Sequence, residues 1–104
     1  MGYERNLEYS HKIRDRIDQI KDREVIRKIF QKAESLYCNP RRGKLLSGKP
    51  RKYRIRSLRF GTRYGEMRLL YQVLESEKTI YFIYVGTREE IYVLLKRWVL
   101  RFPS

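Results

Sequence analysis

The sequence predicts an α+β fold: an N-terminal helical hairpin packed on a small, mainly antiparallel β-sheet, followed by a short C-terminal helix. Three observations carry that reading. Apolar residues recur at helical spacing in two segments before Pro40 and in one after Glu89. Between them the pattern changes to short runs rich in Tyr, Ile, Leu and Val, one of them apolar on both faces. Charge is also uneven: Arg41 to Arg68 holds eleven Lys/Arg residues and one acid, Glu66, which is +10 of a whole-chain net charge of +13.

Residues 3–9 read as a short strand of thin apolar content. Ser10 follows as an N-cap, because its hydroxyl can accept from the free N–H groups of a first helical turn. Ile13, Ile17 and Ile20 then give one narrow apolar stripe. A second helix runs from about Asp22 to Tyr37, with Val25, Ile26, Ile29, Phe30, Ala33, Leu36 and Tyr37 on its core side. Asn39-Pro40 ends it, since proline disfavours helix in the residue before it. The link between the two is so short that they form a helical hairpin over about 10–38. Nine basic and seven acidic residues up to Pro40 nearly balance, as on a solvated helix surface.

Gly43, Gly48 and Pro50 make residues 41–51 a loop. Residues 52–58, 67–75 and 79–85 read as three strands of a core sheet spanning 52–85. Glu75-Ser76-Glu77-Lys78 is a tight connection between the last two. Ile80 to Val85 is the apolar central strand. Residues 57–66 (SLRFGTRYGE) read as a long loop bearing Arg59 and Arg63. In Tyr53-Arg54-Ile55-Arg56 apolar and cationic residues alternate, so Tyr53 and Ile55 enter a core while Arg54 and Arg56 project from an open face. Glu89 to about Arg101 is helical, with Ile91, Leu94, Leu95, Trp98 and Val99 on one side. Its two early acids suit the positive end of the helix dipole. All 104 residues fit one domain.

Composition narrows the function classes. With 41% hydrophobic and 13% aromatic residues the chain is not compositionally disordered. A pI near 10.2 points to a polyanionic partner. A long apolar segment and a secretory signal are both absent, so no membrane is expected and the cytoplasm is the expected location. Cys38 stands alone, and one Cys and one His far apart exclude metal-ligand spacing. No metal or cofactor is expected. His11, beside Ser10, reads as a surface or capping residue. Most of the nine tyrosines read as packing, Tyr71, Tyr81 and Tyr84 among them. Arg41, Arg42, Lys44, Lys49, Arg51 and Lys52 read as salt-sensitive phosphate attraction, joined by Arg59 and Arg63.

Four motifs in order resemble the RelE/ParE toxin superfamily. They are Leu45-Leu46-Ser47-Gly48, Tyr53-Arg54-Ile55-Arg56, Met67-Arg68-Leu69-Leu70-Tyr71-Gln72-Val73 and Val85-Gly86-Thr87-Arg88-Glu89-Glu90-Ile91-Tyr92. They cover roughly residues 40–95; the N-terminal strand and helices agree in layout only. The resemblance implies a toxin of a type II toxin–antitoxin system. RelE-type members enter the ribosomal A site and cut messenger RNA without a metal, whereas ParE-type members inhibit DNA gyrase. Both are held inactive by an antitoxin that wraps them. The functional positions of the RelE branch fall here on Arg54, Arg56, Arg68, Arg88 and Tyr92, and the Arg88/Tyr92 pair favours that branch.

In such a cut the 2′-OH attacks its adjacent phosphate and expels the 5′-oxygen. A metal-free site must supply a base, charge for the phosphorane and a proton for the leaving oxygen. Arg68 and Arg88 suit the second task, because guanidinium stays charged and holds two phosphate oxygens at once. Tyr92 can take the base role only as a phenolate, which surrounding cations favour. Arginines stand at 54 and 56 where some relatives carry lysines, and Thr87 stands where many carry histidine. Plainer readings stand beside these: Arg68 pairing with Glu66, Tyr92 and Trp98 packing the last helix. The competing functions are gyrase inhibition and binding of RNA or antitoxin without catalysis. The open cationic face and the amphipathic last helix imply an acidic, partly disordered antitoxin over Arg54, Arg56 and Arg68. The expected species is a monomer or a toxin–antitoxin hetero-oligomer.

Overall fold

The computed structural model describes residues 5–46 and 54–101, the side chains of 98–101 excepted. Its elements are β1 (Asn6–Tyr9), α1 (His11–Gln19), α2 (Arg23–Ser35), β2 (Lys44–Leu45), β3 (Arg56–Thr62), β4 (Gly65–Leu74), β5 (Thr79–Gly86) and α3 (Arg88–Arg101). They form one five-stranded sheet in the order β1-β5-β4-β3-β2. Three pairings are antiparallel and one, β1 with β5, is parallel. The α+β class and the helix–sheet layout are as the sequence predicts.

Both helices before the sheet start where a polar side chain can cap them. The Ser10 hydroxyl accepts from Ile13 N at 3.1 Å and donates to the Ile83 carbonyl of β5 at 2.7 Å. Asp22 accepts from the N–H groups of Glu24 and Val25 at 2.9 and 3.3 Å. The first cap therefore also fastens α1 to the sheet, alongside the parallel register Leu7↔Ile80.

The sheet buries both faces. One carries Leu58, Phe60, Leu69, Tyr71, Phe82 and Val85, packed against Ile13 of α1 and Val25, Ile29, Ala33 and Leu36 across α2 and its C-cap. The other carries Ile55, Leu70 and Ile83 under Ile91 and Leu94 of α3. Tyr9 stacks on Phe82 with centroids 4.9 Å apart. The hydroxyl of the fully buried Tyr71 donates to the Pro40 carbonyl at 2.7 Å and accepts from Gly43 N at 2.8 Å. A Cβ at Gly43 would lie 2.6 Å from that hydroxyl, so only glycine lets the loop close on the sheet. Burial holds the Tyr71 phenol above its ordinary range, against the Gly43 N–H and the Arg56 and Arg42 guanidiniums.

One expectation fails. Residues 57–66 are no loop: they are most of β3 and the start of β4, joined at Arg63-Tyr64. Leu58 and Phe60 alternate inward, opposite Leu69 and Met67, while Arg59 and Gly61 are exposed. Gly65, at φ +115°, supplies the backbone turn that closes the hairpin. The strand expected at 52–58 accordingly begins at Arg56; Lys52 and Tyr53 lie outside the described residues.

Candidate functional site

The register of the sheet brings Arg59 of β3 directly opposite Arg68 of β4, and Arg68 opposite Gly86, two residues before Arg88. Arg59 and Arg68 share the parity of Ser57 and Leu70, so they lie on the α3 side of the sheet. Like charges placed opposite one another destabilise a sheet. The only acid bonded to the pair among the described residues is Glu66, whose carboxylate accepts from Arg68 Nε and Nη2 at 3.3 Å. That ion pair is half exposed and weak, so Arg68 keeps a guanidinium that an anion can compete for.

Arg88 opens α3 and is exposed. A cation at the positive end of a helix is disfavoured by the dipole, by a few tenths to about 1 kcal/mol at exposed positions. Tyr92 stands one turn further on the same helix and is 63% exposed, so it does not pack the helix. Lys96, another turn on, places its ammonium 5.4 Å from the Tyr92 ring centroid, a cation–π distance. Arg88, Tyr92 and Lys96 thus form one exposed stripe at i, i+4 and i+8.

The helix start that holds this stripe is a capping box. Thr87 Oγ1 accepts from Glu90 N at 3.3 Å, and Glu90 Oε1 accepts from Thr87 N at 2.8 Å. The same Oε1 accepts from Arg16 Nη2 at 2.9 Å, tying α3 to α1. Burial raises the Glu90 carboxyl, but the Thr87 N–H and the Arg16 guanidinium outweigh it and hold it below its ordinary range. Thr87, Glu90 and Arg16 were not singled out as a unit from sequence, although Thr-x-x-Glu before an apolar helix is a legible cap signature.

The other expected site residues lie elsewhere. Arg54 is exposed and sits at φ +48°, in the left-handed region that costs a side-chain-bearing residue about 1–2 kcal/mol. It is therefore not a strand neighbour of Arg56. Arg56 points to the α2 side, where it donates to the Gly43 carbonyl at 2.8 Å and the Arg41 carbonyl at 3.2 Å. The open face expected to present Arg54 with Arg56 does not form, because that side of the sheet is covered by α2 and the 40–43 loop. The arginine pair on the open part of the sheet is Arg59 with Arg68 instead. Arg41 reaches Glu75 at 3.8 Å, Arg42 donates to Ser35 Oγ at 3.3 Å, and Lys44 is exposed on the edge strand. Arg63 lies 3.4 Å from Asp22 at the β3–β4 turn. Lys49 and Arg51 lie outside the described residues.

A cavity of about 490 Å³ lies apart from Arg59 and Arg68, between α1 and α3, with Lys12, Asp15, Arg16, Glu89, Glu90 and Arg97 on its walls. Its charges are mixed and largely self-compensating, unlike the Arg59/Arg68/Arg88 side. Among the described residues no group of three or more His, Cys, Asp or Glu side chains is placed to hold a metal ion. No helix among them is long and apolar enough to cross a membrane.

Comparison with solved structures places this fold beside RelE toxins. A free double-arginine mutant of E. coli RelE is 20% identical with a TM-score of 0.70, covering 91% of this chain and 97% of that one. The toxin–antitoxin complex RelBE2 of Mycobacterium tuberculosis contains a chain 22% identical, TM-score 0.68, covering 81% of this chain and 98% of that one. The intact E. coli RelBE complex gives 21% identity and a TM-score of 0.65, covering 81% and 96%. No curated protein matches the sequence. The family model of the ParE toxin of the type II toxin–antitoxin system parDE matches residues 7–92. That match spans most of the sheet and all the motifs that resemble the superfamily, and the chain belongs to the RelE/ParE superfamily of type II toxins.

Proposed function

We propose that this toxin is an endoribonuclease that cleaves translated messenger RNA in the ribosomal A site, without a metal, by attack of a 2′-OH on its adjacent phosphate. One observation carries the reading: three arginines, two of them paired across the sheet and the third two residues beyond the partner of Arg68, occupy positions that are unfavourable to the fold. Arg59 and Arg68 face each other across the sheet, and Arg88 occupies the positive end of α3. Such placements are offset when a polyanion binds between the cations. In this reading Arg68 and Arg88 hold the equatorial phosphate oxygens and stabilise the phosphorane. Tyr92, exposed one turn beyond Arg88, exchanges the proton. Arg54 and Arg59 fix the adjoining backbone, and Arg56 serves mainly as a clamp on the 40–43 loop.

The fold's likeness to toxins solved with their antitoxins supports a cognate partner. Its acidic residues would lie over Arg54, Arg59 and Arg68, with Arg56 a poorer target because part of its guanidinium is already engaged.

The test is primer extension of messenger 5′ ends in a cell-free translation reaction. Cuts within translated codons are expected, dependent on ribosomes. Arg88→Ala should reduce them roughly 10²–10³-fold, the usual effect of deleting one charge-stabilising donor, and Tyr92→Phe should weaken them. Intact messenger at growth-inhibiting doses would sink the proposal. The family model, whose description is that of a ParE toxin, favours gyrase inhibition as the second reading. A supercoiling assay on gyrase distinguishes it, since that activity should largely survive Arg88→Ala.

A further inference from the structure

The β3–β4 hairpin reaches past the rest of the sheet. β5 ends its pairing at Gly86, opposite Arg68, so Met67, Glu66 and Gly65 pair only with β3. The result is a two-stranded arm whose tip is Arg63-Tyr64. Tyr64 is 73% exposed, the most exposed of the large hydrophobic side chains described. The turn that carries it is closed by hydrogen bonds. The Tyr64 N–H donates to Thr62 Oγ1 at 3.1 Å, and that hydroxyl donates on to the Gly65 carbonyl at 2.8 Å. At the far end of the ring, the Tyr64 hydroxyl comes near enough to the Asp22 carboxylate to help hold its carboxyl low, against desolvation. Arg63 reaches the same carboxylate at 3.4 Å while staying 61% exposed.

An aromatic ring carried on a closed turn and open to water presents a free face at a set place, so a flat partner can stack on it. The charges around it select the partner. Arg59, Arg63 and Arg68 against Glu66 and the neighbouring Asp22 leave the arm net cationic, with Arg59 bonded to neither acid, which suits a phosphate backbone running beside a stacked base. Bases offer a free face in single strands and not in an A-form duplex.

We propose that the β3–β4 arm is a second RNA-contact surface, on which Tyr64 stacks an unpaired base while Arg59 and Arg63 hold flanking phosphates. It rests on the reading of the toxin as RNA-directed, and adds a contact remote from Arg88 and Tyr92. Tyr64 is a positioning residue there, since it carries no part of the bond cleavage.

The experiment is fluorescence anisotropy of the purified toxin with a labelled single-stranded RNA and with its duplex, over a salt series, using wild type, Tyr64→Ala, Tyr64→Trp and Arg63→Gln. Tyr64→Ala should weaken single-strand binding roughly 5- to 100-fold, the span of one base–aromatic stack, and leave duplex binding unchanged. Its salt slope should match wild type, whereas Arg63→Gln should lower the slope by about 0.7, one single-strand phosphate contact. Tyr64→Trp should restore affinity, which a merely structural tyrosine beside Asp22 would not permit. Equal affinity of Tyr64→Ala and wild type for the single strand overturns the proposal. So does an equal loss on strand and duplex, or a defect that shows only with ribosomes and not with free RNA, which would make the arm's partner a protein. Loss of messenger cutting with Tyr64-dependent RNA binding intact would overturn the nuclease reading and leave the arm standing.

Discussion

The two faces of the sheet are built on opposite terms. Under α1 and α2 the local preferences agree: polar caps at Ser10 and Asp22, apolar residues inward, and a buried tyrosine whose hydroxyl has two partners. On the α3 side they conflict. Two arginines face each other across the strands, and a third begins a helix at its positive end. A face that agrees with itself stabilises the fold; a face that conflicts stores an unmet preference for a ligand. The difference separates scaffold from candidate site.

That division can be broken by substitutions that violate it. The largest effect is expected at Phe82, wholly buried on the first face. Phe82→Ala should cost about 3–5 kcal/mol in chemical denaturation, and a loss below 1 kcal/mol would mean the first face is not the scaffold. Tyr71→Phe, which strands the Pro40 carbonyl and the Gly43 N–H, should cost about 1–3 kcal/mol and expose the 40–43 loop to protease. At Arg54 the sign should reverse. Arg54→Gly relieves the left-handed backbone and should raise stability by about 1–2 kcal/mol; a destabilised variant would show that the arginine side chain contributes more to the fold than its backbone costs.

The smallest effect sharpens the boundary, because Glu90 belongs to both sides. Its carboxyl is held below its ordinary value of 4.5 in the folded chain. The stabilisation is therefore complete above that unfolded value and is lost as pH falls through the lower folded one. Asp22, held low by the Tyr64 hydroxyl, the Val25 and Glu24 N–H groups and Arg63 against its desolvation, contributes with the same sign. Glu90→Gln should flatten the acid limb of a stability–pH curve below about pH 5, by lowering the neutral plateau while leaving the acid end little changed. An unaltered acid limb would show that the Arg16–Glu90 link does not hold α3.

What the sequence disclosed tracks how local the cause is. Ser10, Asp22 and the all-apolar run from Ile80 to Val85 act through near neighbours, and each element was readable. The hairpin at 57–66 was missed because Gly61, Gly65 and Arg63 resemble a loop, although Leu58-Arg59-Phe60 alternates as a strand does. The partner of Arg59 is set by cross-strand register, which no window of sequence contains. Arg56 misled for the same reason: alternation gives its side of the strand but not what covers that side. Thr87 and Glu90 were legible as a cap, yet the link to Arg16 spans 74 positions and is a product of the fold.

The parallel pairing of β1 with β5 also sets a clock. Leu7 pairs with Ile80, and Ser10 bonds to Ile83 across 73 positions of sequence. At roughly 5–20 residues per second of synthesis, the first strand waits about 4–15 s for its neighbour to be made. Throughout that interval α1 lacks the strand it packs on, whereas α2 can meet β3 before it ends. Arg59 and Arg68 can pair across β3 and β4 before β5 is added. A chain of this topology keeps its first strand and α1 waiting until most of it has been made, so its two ends meet only as synthesis nears completion.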